Sequence, residues 1–287
     1  MNTLIKIALL LTVTACSSTR FERTTAPEND ALIVESTIRF DGKRLNEWAE
    51  SKGVLGEATK LCQLGETSEG QELLKKNLNN QRKNPAYWMV VGNCHWHANN
   101  GAKAEYFYKL ALGLAKKDQR IADAVYNNLG LLYMQRSLYP EARAEFEKAK
   151  DSLTAKYNLA QIALLLGDAR SAKTHLADIY RVNRRDPDVL ASMAVAHLID
   201  GNTKVAMQVL NEIPKNEGDR QDVAFYRAMG MYLNGDMENA QSELDRALKT
   251  DSSVSRLSDM AKELENLVKL EVERRLAAQE AAQNVKS

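Results

Sequence analysis

A small residue recurs along this chain at a nearly fixed interval: Ala58, Gly92, Gly130, Ala160, Ala194 and Ala228, spaced 34, 38, 30, 34 and 34 residues apart. A second small residue follows each by 12 positions, at Gly70, Ala104, Ala142, Ala172, Ala206 and Ala240. A period of this length marks one supersecondary unit copied and stacked, because a single copy cannot bury its apolar face alone. Two small positions per copy let a pair of antiparallel helices approach closely, and large residues such as Trp88, Leu129, Tyr133 and Phe146 fill the seam.

The punctuation agrees with helices. Gly65, Gly167, Gly201 and Gly235 fall where the first helix of a copy turns into the second, a place where a positive φ is cheap for glycine. Pro85 and Pro187 open first helices, Pro140 lies in the first turn of a second helix, and Pro214 follows one. The 38-then-30 spacing predicts one extra helical turn around Ala115–Arg120 and one lost after Lys150. Five prolines, 44% apolar residues and 27% charged residues exclude collagen-like chains and wholesale disorder. Basic and acidic residues number 39 and 38, so no overall field draws nucleic acid.

The segment Tyr126-Asn-Asn-Leu129-Gly130-Leu-Leu-Tyr133, followed by Ala142, Phe146 and Ala149, resembles the tetratricopeptide repeat. Trp88, Val91, Gly92, Ala104, Tyr108 and Ala111 repeat the pattern one copy earlier, with His95 in the tyrosine place. Weaker copies carry the resemblance over residues 51–250. It implies an all-α, tetratricopeptide-type solenoid of about six helix-turn-helix repeats over 45–250. A capping helix is expected over 251–287, with a stripe of Leu257, Met260, Leu264 and Leu267. There Lys262 and Glu265 replace the small and aromatic residues, as a terminal cap requires.

The N-terminus reads as an address. Lys6 precedes the apolar run Ile7–Val13, too short to span a bilayer, so 1–15 reads as a signal peptide. Val13-Thr14-Ala15-Cys16 resembles the lipobox of bacterial lipoproteins, which implies acylation of Cys16. Ser17, where an aspartate would signal inner-membrane retention, implies an outer-membrane, periplasm-facing destination. Residues 16–44 read as a polar tether, on which Ala31–Phe40 is apolar enough to dock on the body.

Chemistry is sparse. In Cys94-His95-Trp96-His97 the two histidines lie about 200° apart on a helix and cannot grip one ion. Cys94 and His97 alone fall short of a closed site, and His95 reads as a buried seam residue. No nucleophile motif or phosphate loop occurs, so neither catalysis, metal nor cofactor is expected. Cys62 and Cys94 are an even pair, but they stand at positions 12 and 10 of successive first helices, rotated about 200° from each other. On that ground two free thiols are expected.

The resemblance implies a protein-interaction scaffold rather than an enzyme, with the concave positions of each first helix lining a groove. Those positions are Met89, Asn93 and Trp96 in the second copy, Asn127, Leu131 and Met134 in the third, and Tyr157, Gln161 and Leu164 in the fourth. They lack lysine and arginine, so the carboxylate clamp of chaperone-binding relatives is absent. An apolar, aromatic and methionine-rich groove suits a partner's amphipathic helix or extended segment, unless tight packing or the C-terminal helix fills it. Small tetratricopeptide lipoproteins of this build assemble tight-adherence and type IV pili, which implies envelope partners such as a secretin or pilus components, reached from a lipid anchor. An adaptor for peptidoglycan enzymes or outer-membrane protein assembly is the alternative.

Overall fold

The computed structural model describes residues 42–116, 118–218, 220–249 and 255–284. The signal peptide, Cys16 and most of the tether lie outside the described residues, as does the side chain of Leu257. Thirteen α-helices and no strand occur among the described residues. They are α1 (Gly42–Gln63), α2 (Thr67–Gln81), α3 (Pro85–His97), α4 (Gly101–Ala115), α5 (Gln119–Gln135), α6 (Tyr139–Lys148) and α7 (Leu153–Leu165). Then follow α8 (Ala169–Val182), α9 (Pro187–Ile199), α10 (Thr203–Asn211), α11 (Gln221–Leu233), α12 (Met237–Lys249) and α13 (Ser255–Asn284). Odd-numbered helices up to α11 are the first helices of six repeats and even-numbered ones the second. The described chain divides into two compact units, 42–159 and 160–284, with the division inside α7.

The periodic small residues do what their spacing demands. In the first unit, a Cβ on Gly92 would stand 2.5 Å from the Tyr108 ring, and one on Gly130 would stand 2.5 Å from the Phe146 ring. Both rings are buried, so glycine is what lets α3 and α5 close upon α4 and α6. In the second unit Ala160, Ala194, Ala228, Ala172, Ala206 and Ala240 are all fully buried. Around them pack Leu190, Leu210, Phe225 and Leu244, and the face of α13 formed by Met260, Ala261, Leu264 and Val268.

Turns and caps follow the sequence closely. Gly65, Gly167, Gly201 and Gly235 have φ of 91°, 77°, 77° and 81°. Asn99 and Ser137 take the same left-handed place in the second and third repeats, at φ 56° and 60°. Asparagine tolerates this region and serine less so, so Ser137→Gly is expected to raise stability by roughly 0.5–1 kcal/mol. An unchanged or lower urea midpoint would show that Ser137 bears no strain. Pro85 and Pro187 occupy the first helical position of α3 and α9, after the capping residues Asn84 and Asp186. The extra turn lies at the start of α5, which has 17 residues where α3, α7, α9 and α11 have 13. The shortening falls on α6, with 10.

One expectation is corrected. Cys62 and Cys94 are joined in a disulfide, their Cα atoms 5.1 Å apart. The 200° rotation between their positions does not hold them apart; it brings them together. Successive first helices lie side by side, so the forward face of α1 meets the backward face of α3, and residues on opposite faces of equivalent helices meet. Gly70 completes the site: a Cβ there would stand 2.4 Å from Cys62 Sγ and 3.5 Å from Cys94 Sγ. The five later repeats carry alanine at that place, so the sulfurs occupy the volume that a methyl group fills elsewhere.

Candidate functional site: an amide ladder and a turn-end cleft

Eight of the nine groove residues are interior. Met89, Asn93, Asn127, Leu131, Met134, Tyr157, Gln161 and Leu164 are each buried, and only Trp96 keeps part of its surface in solvent. As placed, the eight present no surface to a partner. Burying an amide costs free energy unless it is hydrogen-bonded, and these amides meet across neighbouring first helices. In the first unit, Asn128 Nδ2 and Tyr108 Oη donate to Asn93 Oδ1 at 3.1 and 3.0 Å. Asn158 Nδ2 donates to Asn127 Oδ1 at 2.9 Å. In the second unit, Gln161 Nε2 donates to Ser192 Oγ at 3.0 Å. Asn128, Asn158 and Ser192 hold the same register position in three successive repeats, two residues before the periodic small residue. The polar residues expected to grip a partner's backbone thus set the register of one helix on the next.

In the first unit a cleft opens where first helices turn into second ones. Trp96, Asn99, Gly101, Ala102, Leu132, Gln135 and Arg136 line a cleft of about 200 Å³ at the end of α3, the start of α4 and the end of α5. That is smaller than the roughly 300–1,000 Å³ of small-molecule sites, and it suits one side chain of a partner rather than a cofactor. Trp96 and Leu132 supply the apolar part and Gln135 the amide. Arg136 is fixed: its Nη1 donates to Glu105 Oε2 at 2.9 Å, and its Nη2 lies 3.0 Å from where a Gly101 Cβ would stand. Glu105 Oε1 also accepts from Lys109 Nζ at 2.7 Å and Tyr133 Oη at 3.1 Å. These bonds, Lys109's foremost, hold the Glu105 carboxyl below the usual carboxylate range against the upward pull of burial.

The histidines do not make a metal centre. His95 is half-buried, not interior as expected, and stacks on Phe107 with ring centroids 5.2 Å apart. Trp88 stacks on the same ring at 5.6 Å. Burial, with Lys103 nearby, lowers the His95 pKa, and burial alone lowers that of His97. Cys94 is spent in the disulfide. Among the described residues no three His, Cys, Asp or Glu side chains are grouped to hold a metal ion, and no helix is long and apolar enough to cross a membrane.

Comparison with known proteins places this arrangement. Residues 55–119 match the tetratricopeptide repeat family. No curated protein matches the chain in sequence. Among solved structures, PilF of Pseudomonas aeruginosa is 17% identical with a TM-score of 0.61, over 76% of this chain and 99% of its own. PilW, described as a widely conserved type IV pilus biogenesis factor, is 16% identical with a TM-score of 0.60, over 72% and 96%. YrrB, described as a tetratricopeptide protein with an unusual peptide-binding site, is 20% identical with a TM-score of 0.51, over 66% and 97%. Residues 55–119 therefore carry tetratricopeptide repeats, and the described chain folds as an all-α repeat protein of that kind.

Proposed function

We propose that this protein is a non-enzymatic scaffold, anchored through acylated Cys16 to the outer membrane and facing the periplasm. There it helps assemble an envelope machine of the pilus or secretion type. The observation that carries this reading is the extent of the likeness: PilF and PilW are matched over nearly their whole lengths by helices of this chain. The lipobox at Val13–Cys16 supports the anchor, since several acyl chains provide the multiple signals that stable attachment needs. Partner contact centres on Trp96, the one groove residue with open surface, together with Gln135 at the cleft. Aromatic anchors in small recesses are favoured hot spots.

Two measurements test this. Cys16→Ser is expected to shift the protein from the membrane fraction to the soluble periplasm or to leave it unprocessed; a mature, membrane-bound variant would sink the anchor. Crosslinking in intact envelopes is expected to recover secretin or pilus components, and Trp96→Ala to weaken that capture by about 2 kcal/mol. Recovery of peptidoglycan enzymes or of the outer-membrane protein assembly machinery instead would overturn the assignment.

A further inference from the structure

The densest cluster of buried charge lies in the second unit, where the fifth repeat meets the sixth. Asp186 caps α9: its Oδ1 accepts from the backbone N–H of Asp188 at 3.0 Å and of Val189 at 3.1 Å. Its other oxygen, Oδ2, is buried with no partner, on a residue only 1% exposed. Asp188, 3% exposed, pairs with Arg220 Nη2 at 2.7 Å. The same guanidinium grips Asp222 through Nε at 3.0 Å and Nη2 at 2.6 Å, and Glu217 stands 3.9 Å from its Nη1. Buried Tyr226 lies within the field of this group, and Gln221 Oε1 is a further buried acceptor without a partner. Asp188, Asp222 and Glu217 thus crowd one guanidinium, and Asp186 beside them, the least exposed of these carboxyls, has a buried oxygen without a hydrogen-bond partner. No metal-holding arrangement exists among the described residues, and a buried carboxylate oxygen with no donor facing it is most cheaply neutralised by a proton.

We infer that Asp186 holds a proton at the start of α9, beside the Asp188–Arg220 pair that joins this helix to the segment leading into α11, so that this joint between the fifth and sixth repeats loosens when the proton leaves. The charged groups felt by Asp186 are Asp188, a like charge on its own helix, and Arg220, an opposite charge from the segment before α11. Burial first, and Asp188 second, raise its pKa to about 7, overcoming the two backbone hydrogen bonds and Arg220. The sign follows from linkage. Between the unfolded value of 3.8 and about 7 the folded state binds more protons than the unfolded one, so stability falls as pH rises through that window and levels off above it. Deprotonation sets a second buried negative charge beside Asp188, and the Asp186 oxygen that would carry it has no hydrogen-bond partner.

The test uses the mature chain, oxidised, as wild type and as Asp186→Asn, which keeps the capping oxygen and removes the titration. In the wild type an infrared carboxylic-acid band is expected at pH 5.5 and gone by pH 8.5, and the variant is expected to lack it. Hydrogen exchange in the first turn of α9, corrected for intrinsic rates, is expected to lose about tenfold in protection from pH 6 to pH 8, tenfold corresponding to one pKa unit of coupling. The variant is expected to lose none. Asp188→Asn supplies a second arm: removing the neighbouring charge should move the band's midpoint downward. A wild type without the band at pH 5.5, a band that persists in Asp186→Asn, or protection equally pH-dependent in both proteins would overturn the inference.

Discussion

Replacing Cys62 and Cys94 together by alanine is expected to lower the stability of the oxidised protein by about 3–4 kcal/mol. The bridge spans a sequence separation of 32 residues, and closing a loop of that size removes about this much entropy from the unfolded chain. The comparison is a urea titration of the double variant against the wild type, with and without dithiothreitol. The reduced wild type should approach the variant, and equal midpoints with and without reductant would sink the claim. Gly70 adds an internal check. Gly70→Ala should destabilise the wild type, where the new methyl group meets Cys62 Sγ at 2.4 Å, and cost far less in the double variant, where only the Ala58 carbonyl oxygen, 3.1 Å away, still crowds it.

Phe146→Ala carries the other large effect, about 3–5 kcal/mol, because the ring is 1% exposed and lies against a backbone that cannot follow the loss. A Cβ on Gly130 would stand 2.5 Å from this ring. Gly130→Ala alone should cost about 1–3 kcal/mol by overpacking. Combined with Phe146→Ala it should cost far less, since the displaced ring is gone, and groups in contact are not additive. Additive losses in the double variant would mean that Gly130 serves its own helix and not the seam.

These two sites show what a sequence of this kind reveals. The Gly130–Phe146 seam was legible because both residues recur at a fixed interval and meet within one helical hairpin. Turn glycines, opening prolines and the extra turn of α5 were legible for the same reason: each is decided within a few residues. The disulfide was missed by judging two side-chain directions in a single frame, whereas stacked helices meet through opposite faces. The signal that could have found it was Gly70, the one glycine in a place where every later repeat has alanine. The groove expectation turned on how closely one repeat sits upon the next, which no local pattern states. Met89, Asn127 and Tyr157 have the expected register and are nonetheless buried. Nothing near Asp186 in the sequence singles it out, because the guanidinium that pairs with its neighbour Asp188 arrives one repeat later, at Arg220.

The amide ladder and the bridge share a reach of about one repeat: Asn93 to Asn128, Asn127 to Asn158 and Gln161 to Ser192 span 35, 31 and 31 residues, and Cys62 to Cys94 spans 32. A chain wired this way need not be whole before it begins to fold. As it emerges N-terminus first, each first helix from α5 to α9 finds its hydrogen-bonding neighbour in the first helix of the repeat that emerged before it. The covalent bond can close when about a third of the 287 residues are out. Order of appearance and order of assembly then coincide, and the opening repeat is locked before the last one exists.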